Sequence, residues 1–253
     1  MVKYDYIIKA IENTLQKHSV TLKIIRQQIS PVLKSITDDE TEYEFLLKTI
    51  TDFYNNNYNK PKEYMKIVDN EGKEYLSEGE EGEAHSVEVP DDALKVGWED
   101  GLYMSIHNHP KGSVSVPSIS DYIVMEQNDM KYMVVVAFDG ISISKNEEYP
   151  TSLFGGAIMN ALHPIFQNCF QQTEQLPEFK KIQQDLGRTD ITINDLDKET
   201  KLMLYNKYMK KDNNIQDTTD KFNTGFKENK VPLTVHNIPI KKVYELREGK
   251  GRP

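Results

Sequence analysis

His107 and His109 are separated by a single residue in Ser105-Ile106-His107-Asn108-His109-Pro110, and Asp121 follows in Pro117-Ser118-Ile119-Ser120-Asp121. Two neutral imidazoles and a carboxylate are good ligands for a divalent metal. Three protein ligands leave the fourth tetrahedral position open, which is the pattern of a catalytic rather than a structural zinc. Zinc so held polarises a carbonyl and lowers the pKa of a water from about 15.7 to around 7. A general base must still take and deliver the proton. Several glutamates stand upstream, in the acidic run Glu78-Gly79-Glu80-Glu81-Gly82-Glu83.

The elements around these residues must bring them together. On a strand alternate side chains share a face, so His107 and His109 present their rings to one side while Asn108 points away. Pro110 ends the ladder, and the glycine and serines that follow let the chain turn back. Ser118 then starts a helix and carries Asp121 in its first turn. Each part also has a plainer reading. A histidine pair at i, i+2 can be ordinary strand residues, and Ser118-x-x-Asp121 can be a capping box serving only the helix N-terminus. The spacing, the proline after the pair and the strand-to-helix context together favour the metal.

Apolar spacing predicts a helical region from Tyr4 to about Asn57, with Ile7, Ile8, Ile11 and Leu15 and then Leu46, Leu47, Ile50 and Phe53 in register. The polar run from Asn55 to Pro61 is a boundary. Short apolar runs then predict strands at Tyr64 to Val68, Glu74 to Ser77, Ser86 to Val89, Tyr103 to His107, Tyr132 to Ala137 and Ile141 to Ser144. Asp139-Gly140 signals a tight primed hairpin between the last two. Helices are predicted at Asp91 to about Val96 and Ser118 to Asn128, then at Leu153 to Phe170, Pro177 to Leu186 and Asp195 to Met209. Lys210 to Lys230 reads as a polar loop, and Val231 to Leu246 as a late strand.

Composition narrows the function classes. No stretch approaches the roughly 18 uninterrupted apolar residues of a membrane helix. The start shows no secretory signal, so the expected compartment is the cytoplasm. A net charge of −9 argues against nonspecific nucleic-acid binding, which draws on lysine and arginine contacts to phosphate. The single cysteine, Cys169, sits in an apolar periodic run and reads as a packed helix residue rather than a nucleophile. His18, His85, His163 and His236 have no partner at ligand spacing, and Trp98 fits either a recognition surface or ordinary burial.

His107-x-His109-Pro110 followed by Ser118-x-x-Asp121 resembles the JAMM signature of the JAB/MPN zinc metalloproteases. His-Asn-His-Pro-x-Gly with Pro-Ser-x-x-Asp is most similar to the prokaryotic, RadC-like and phage-encoded branches. The resemblance covers roughly residues 62 to 146. It implies an α/β fold of the JAB/MPN, cytidine-deaminase-like kind, a mixed sheet flanked by helices. The chain then divides into a helical N-terminal region at 1–61, a metalloprotease domain at 62–146 and a mainly helical extension at 147–253. Eleven residues lie between His109 and Asp121, one more than the family's usual spacing, and the extra residue falls in the Lys111 to Pro117 loop.

The resemblance further implies zinc held by His107, His109 and Asp121, Ser118 stabilising the oxyanion, and an upstream glutamate as acid/base. Glu78, followed by Gly79 and Gly82, resembles the family's glutamate context most closely, with Glu83 and Glu74 in reserve. The implied activity is hydrolysis of a peptide or isopeptide bond, including one at the tail of a ubiquitin-like modifier, with a protein or peptide as partner and no cofactor beyond zinc. Two rival readings are a non-catalytic JAB-like scaffold and a RadC-like DNA-associated protein; the acidic charge counts against the second.

Overall fold

Val, Ile, Met and Tyr dominate the short runs between residues 64 and 146, and β-branched and aromatic side chains suit a half-buried pleated surface. In the computed structural model, which describes residues 22–79, 87–150, 155–211 and 213–240, these runs form a sheet. The strands are β1 (Tyr64–Asp69), β2 (Glu74–Glu78), β3 (Leu102–Asn108), β4 (Tyr132–Val136), β5 (Gly140–Asn146) and β6 (Leu233–Pro239). They lie in the order β2-β1-β3-β4-β5-β6. β3 and β4 pair in parallel, whereas β1 with β2, β1 with β3 and β4 with β5 are antiparallel. The protein is thus mixed α/β, with a six-stranded mixed sheet flanked by helices.

The helices are α1 (22–36), α2 (Glu40–Asn57), α3 (Asp91–Asp100), α4 (Ile119–Gln127), α5 (Gly155–Thr173), α6 (Pro177–Asp185), α7 (Lys198–Met209) and α8 (Asn214–Glu228). A parallel pair needs a crossover, and α4 supplies it between β3 and β4. This is why the histidines at the end of one element and Asp121 at the start of the next meet on one side of the sheet. β1 and β2 are joined by a turn in which Asp69 Oδ1 accepts the Glu71 and Lys73 N–H groups at 3.0 and 2.9 Å. Gly72 there has φ +84°, a conformation that side chains with a Cβ disfavour.

Two compact units are present, one within residues 1–56 and 238–253 and one spanning 57–237. In the first, Ile25, Ile29 and Leu33 of α1 and Leu46, Ile50 and Phe53 of α2 are buried, and Ser30 Oγ lies 2.6 Å from Tyr43 Oη. In the second, one apolar core runs from Met65, Ile67 and Met133 of the sheet through Tyr122 of α4 to Leu162, Phe166, Phe222 and Phe226 of α5 and α8. α5 packs against α4, α7 and α8. The expected division after residue 146 is therefore not a boundary. Helices α5, α7 and α8 share the sheet's core, whereas α6 packs through Phe179 in a separate apolar cluster with Leu176, Ile191, Ile193 and Leu204.

Other expectations change as well. Val87 to Val89 is not a strand, and Ser86 lies outside the described residues. The stretch expected as a loop at Lys210 to Lys230 contains α8, whose buried face is Thr218, Thr219, Phe222, Gly225 and Phe226. Threonines and a glycine make that face look polar in composition although its spacing is helical. The Asp139-Gly140 hairpin forms, with Ala137 and Gly140 exchanging backbone hydrogen bonds at 2.9 and 3.3 Å. Neither Asp139 nor Gly140 takes the positive φ of a primed turn. Asp139 is instead drawn toward the loop after His109, accepting the Ser115 N–H at 3.1 Å. The late strand is seen as β6, and its expected continuation past Ile240 lies outside the described residues, as does Tyr4 to Thr21 of the N-terminal helical region.

Gly225 lets α8 lie close against α5. A Cβ there would stand 3.0 Å from the Ala161 carbonyl oxygen, and backbone cannot swing aside as a side chain can. Glycine to a larger residue in a helix ordinarily gains stability, but overpacking against a fixed carbonyl costs about 1 to 3 kcal/mol. Gly225→Val is accordingly expected to destabilise the protein by roughly that amount, a downward shift to be read from thermal unfolding. An unchanged or raised melting temperature would show that the two helices separate without cost.

Candidate metal centre

The period of two along β3 puts His107 on one face of the sheet, opposite Met65 of β1 and Val135 of β4. His109 follows just past the strand end, its N–H donating to Val136 O at 2.9 Å, so the ladder direction continues through it. The two rings lie with centroids 5.3 Å apart. Asp121 approaches from the first turn of α4: its Oδ1 is 3.2 Å from His107 Nε2 and its Oδ2 is 3.6 Å from His109 Nε2. The three donor atoms lie within 4.8 Å of one another.

Ser118 and Asp121 do form a capping box. The Ser118 N–H donates to Asp121 Oδ2 at 2.6 Å and the Asp121 N–H donates to Ser118 Oγ at 3.3 Å. The cap and the metal reading are not rivals here. The cap holds the carboxylate in the orientation in which Oδ1 faces His107. It also leaves the Ser118 hydroxyl, which accepts from Asp121, with its own hydrogen free to donate into the cavity that Ser118 lines.

The donor set fits a metal. His107 is only 2 % exposed: its Nδ1 has no hydrogen-bond partner among the described residues, and its Nε2 meets only Asp121 Oδ1 at 3.2 Å, the spacing of two groups that could share one ion. His109 Nδ1 lies 2.7 Å from the Val114 carbonyl, which can only accept, so Nδ1 carries the hydrogen and Nε2 is left facing Asp121 and His107. In a tetrahedral zinc site with bonds of about 2.0 to 2.2 Å, ligand atoms stand roughly 3.3 to 3.6 Å apart, and the two histidine nitrogens stand 3.2 and 3.6 Å from the Asp121 oxygens.

Glu78 is not at this site. Its side chain is 61 % exposed at the end of edge strand β2 and pairs with Lys62 at 3.2 Å. Glu74 is also exposed and pairs with Lys66 at 2.9 Å, and Glu83 lies outside the described residues. The glutamate that lines the cavity with the histidines and Asp121 is Glu63, 8 % exposed, at the residue before β1. Sequence reasoning missed it because the acidic run drew attention downstream. The available signal was an isolated acid directly before a strand that runs antiparallel to the histidine strand.

Asn108, fully buried between the two histidines, fixes Glu63. Its Oδ1 accepts the Tyr64 N–H at 2.8 Å and its Nδ2 donates to the Lys62 carbonyl at 3.0 Å, gripping the peptides on both sides of Glu63. The Glu63 carbonyl in turn accepts the Gly79 N–H at 2.8 Å. The loop after His109 is held from α7: the Asn206 amide oxygen accepts the Val114 N–H at 3.2 Å, and Lys210 Nζ donates to the Gly112 carbonyl.

Electrostatics follow the geometry. Burial pushes the Glu63 carboxyl up, against the opposing pull of His109 and His107, which suits a group that must take up and release a proton. Burial would also raise Asp121, but His107 and His109 outweigh it and hold that carboxyl well below its usual range. Burial opposes protonation of His109, yet Asp121, Glu63 and the Val114 carbonyl raise its pKa to about 9. Of the remaining candidates, Cys169 is buried in α5, His163 is exposed and Trp98 is exposed on α3, while His18 and His85 lie outside the described residues.

Metal binding must displace the His109 proton, so the apparent zinc affinity is expected to rise about tenfold per pH unit and to level off above about pH 9. Without metal the sign reverses. A folded-state pKa raised from 6.5 to about 9 contributes stability that is full below pH 6.5 and is lost as pH rises through about 9. Calorimetric zinc titrations and thermal melts across this window check both slopes, and a zinc affinity independent of pH would contradict the arrangement. Asn108→Leu strands the Tyr64 N–H and the Lys62 carbonyl and is expected to cost about 1 to 3 kcal/mol while zinc binding persists. Unfolding measured beside zinc titration separates the two effects.

No family model, no curated protein and no solved structure matches the chain.

Proposed function

We propose that this protein is a zinc-dependent amide hydrolase of the JAB/MPN (JAMM) type, cleaving a peptide or isopeptide bond in a protein or peptide substrate. The observation that carries the reading is the convergence of His107, His109 and Asp121 to within 4.8 Å, with the buried Glu63 lining the same cavity. The parallel β3-α4-β4 crossover that presents these residues is consistent with a JAB/MPN-like sheet.

His107, His109 and Asp121 hold the metal, which when bound supplies Lewis-acid polarisation of the scissile carbonyl and a more acidic water. Glu63 accepts a proton from the attacking water as the water oxygen bonds to the carbonyl carbon. Glu63 then delivers that proton to the amide nitrogen as the carbon–nitrogen bond breaks, giving a carboxylic acid and an amine. The Ser118 hydroxyl donates toward the oxygen that gains negative charge, and the first-turn N–H groups of α4 add the positive end of the helix dipole beside it.

Zinc-loaded protein is to be assayed on a fluorogenic peptide library and on a lysine-linked isopeptide. Glu63→Gln is expected to lower the rate about 10²- to 10⁴-fold with zinc content unchanged. Glu78→Gln, on the exposed edge, is expected to leave it within about twofold, as surface changes away from a site do. His109→Ala is expected to lose both zinc and turnover. Hydrolysis that survives in Glu63→Gln, or in His109→Ala protein stripped of metal, would refute the reading.

A further inference from the structure

The cavity at the metal centre encloses about 500 Å³, which is far more than the catalytic residues themselves require and lies within the range of sites that hold a sizeable ligand. Its lining combines two chemistries. Glu63, the two histidines and Asp121 are polar, whereas Val124 of α4, Phe166 and Phe170 of α5 and Leu202 of α7 are apolar. Val124, Phe170 and Leu202 pack against the main core yet remain only partly buried, so apolar surface is left uncovered at the cavity. Among the described residues Lys198, exposed in the first turn of α7, is the one lysine or arginine on the lining, and a cationic side chain would meet it unfavourably.

We propose that these apolar lining residues form a specificity pocket that takes a bulky, uncharged apolar group of aromatic size next to the scissile amide. The proposal rests on the amide-hydrolase reading above and names its substrate class. A chain of glycines offers no side chain to fill such a space, whereas a phenyl or large aliphatic group covers the exposed flanks of Phe170 and Leu202. Each such group removed from water is worth far more to binding than a methyl. Most of this wall comes from α5 and α7, with Val124 added by α4, so substrate choice is built largely by the C-terminal helices, while the metal ligands and the acid/base residue come from the ends of β3 and β1 and from α4.

The test compares two hydroxamic acids with the same chelating head, acetohydroxamic acid and 3-phenylpropionohydroxamic acid, by calorimetric titration of the zinc-loaded protein. The phenyl compound is expected to bind at least about tenfold more tightly, the scale of discrimination that an apolar pocket provides. Leu202→Asn is expected to cut that ratio to below about threefold, with acetohydroxamate binding unchanged. A wild-type ratio below about threefold overturns the pocket and leaves the metal centre standing. A large ratio that Leu202→Asn does not reduce also overturns the assignment to this wall. Failure of acetohydroxamate to bind zinc-treated protein at all overturns the hydrolase reading together with the pocket.

Discussion

The carboxylate of Asp121 is gripped from the helix side and used from the strand side. Its Oδ2 accepts the Ser118 N–H at 2.6 Å, closing the N-terminus of α4, while its Oδ1 stands 3.2 Å from His107 Nε2. A charge withdrawn from most of its water is costly unless it is hydrogen-bonded and paired, and the helix cap and the histidines together meet that demand for the half-buried Asp121. The rest of the site depends on this arrangement. The start of α4 is tied to the end of β3 through Asp121, and the parallel crossover to β4 is thereby set with the helix N-terminus directed at the histidines.

A second constraint acts on the opposite side of β3. Asn108 faces away from the metal ligands, as a period of two requires, and it spends its amide on the peptides that flank Glu63. One three-residue segment, His107-Asn108-His109, therefore sends two rings to the candidate metal site and one amide to the peptides that flank Glu63. Register explains how this is possible. Met65 stands opposite His107, so the chain two residues earlier lies alongside the end of β3, within reach of the Asn108 side chain.

The legible parts of the site were the local ones. His107 and His109 share a face because of strand periodicity, and Ser118 and Asp121 share a helix turn because of capping; both patterns span four residues or fewer. Glu63 was not legible, because its nearness to the histidines depends on β1 pairing with β3 across more than forty residues of chain. Glu78 fitted a local glutamate-glycine context, but it falls on the outer strand, where Lys62 and solvent satisfy it. In the fold, strands rich in β-branched residues and helices with clear apolar stripes were readable, whereas α8 was hidden by a buried face of threonine, glycine and two phenylalanines. Val87 and Val89 misled in the opposite direction: a short apolar run between turn signals suggested a strand, but they pack against the core as an irregular segment.

The C-terminal helices are where local reading fails most completely, and their role follows from hydrogen bonds rather than from any motif. His109 is oriented by the Val114 carbonyl, and Val114 is itself held by Asn206 of α7, at a distance of 92 residues along the chain. The loop from Lys111 to Pro117 has no secondary structure to stiffen it, so its geometry must be imposed from outside. Asn206 and Lys210 grip one side of it, and Asp139 of the β4–β5 hairpin grips the other through Ser115. A ligand imidazole is only as well placed as the group that fixes its second nitrogen. Helix α7 therefore has two separate duties, walling the cavity through Leu202 and holding the loop that aims His109 through Asn206, one turn further along the same helix.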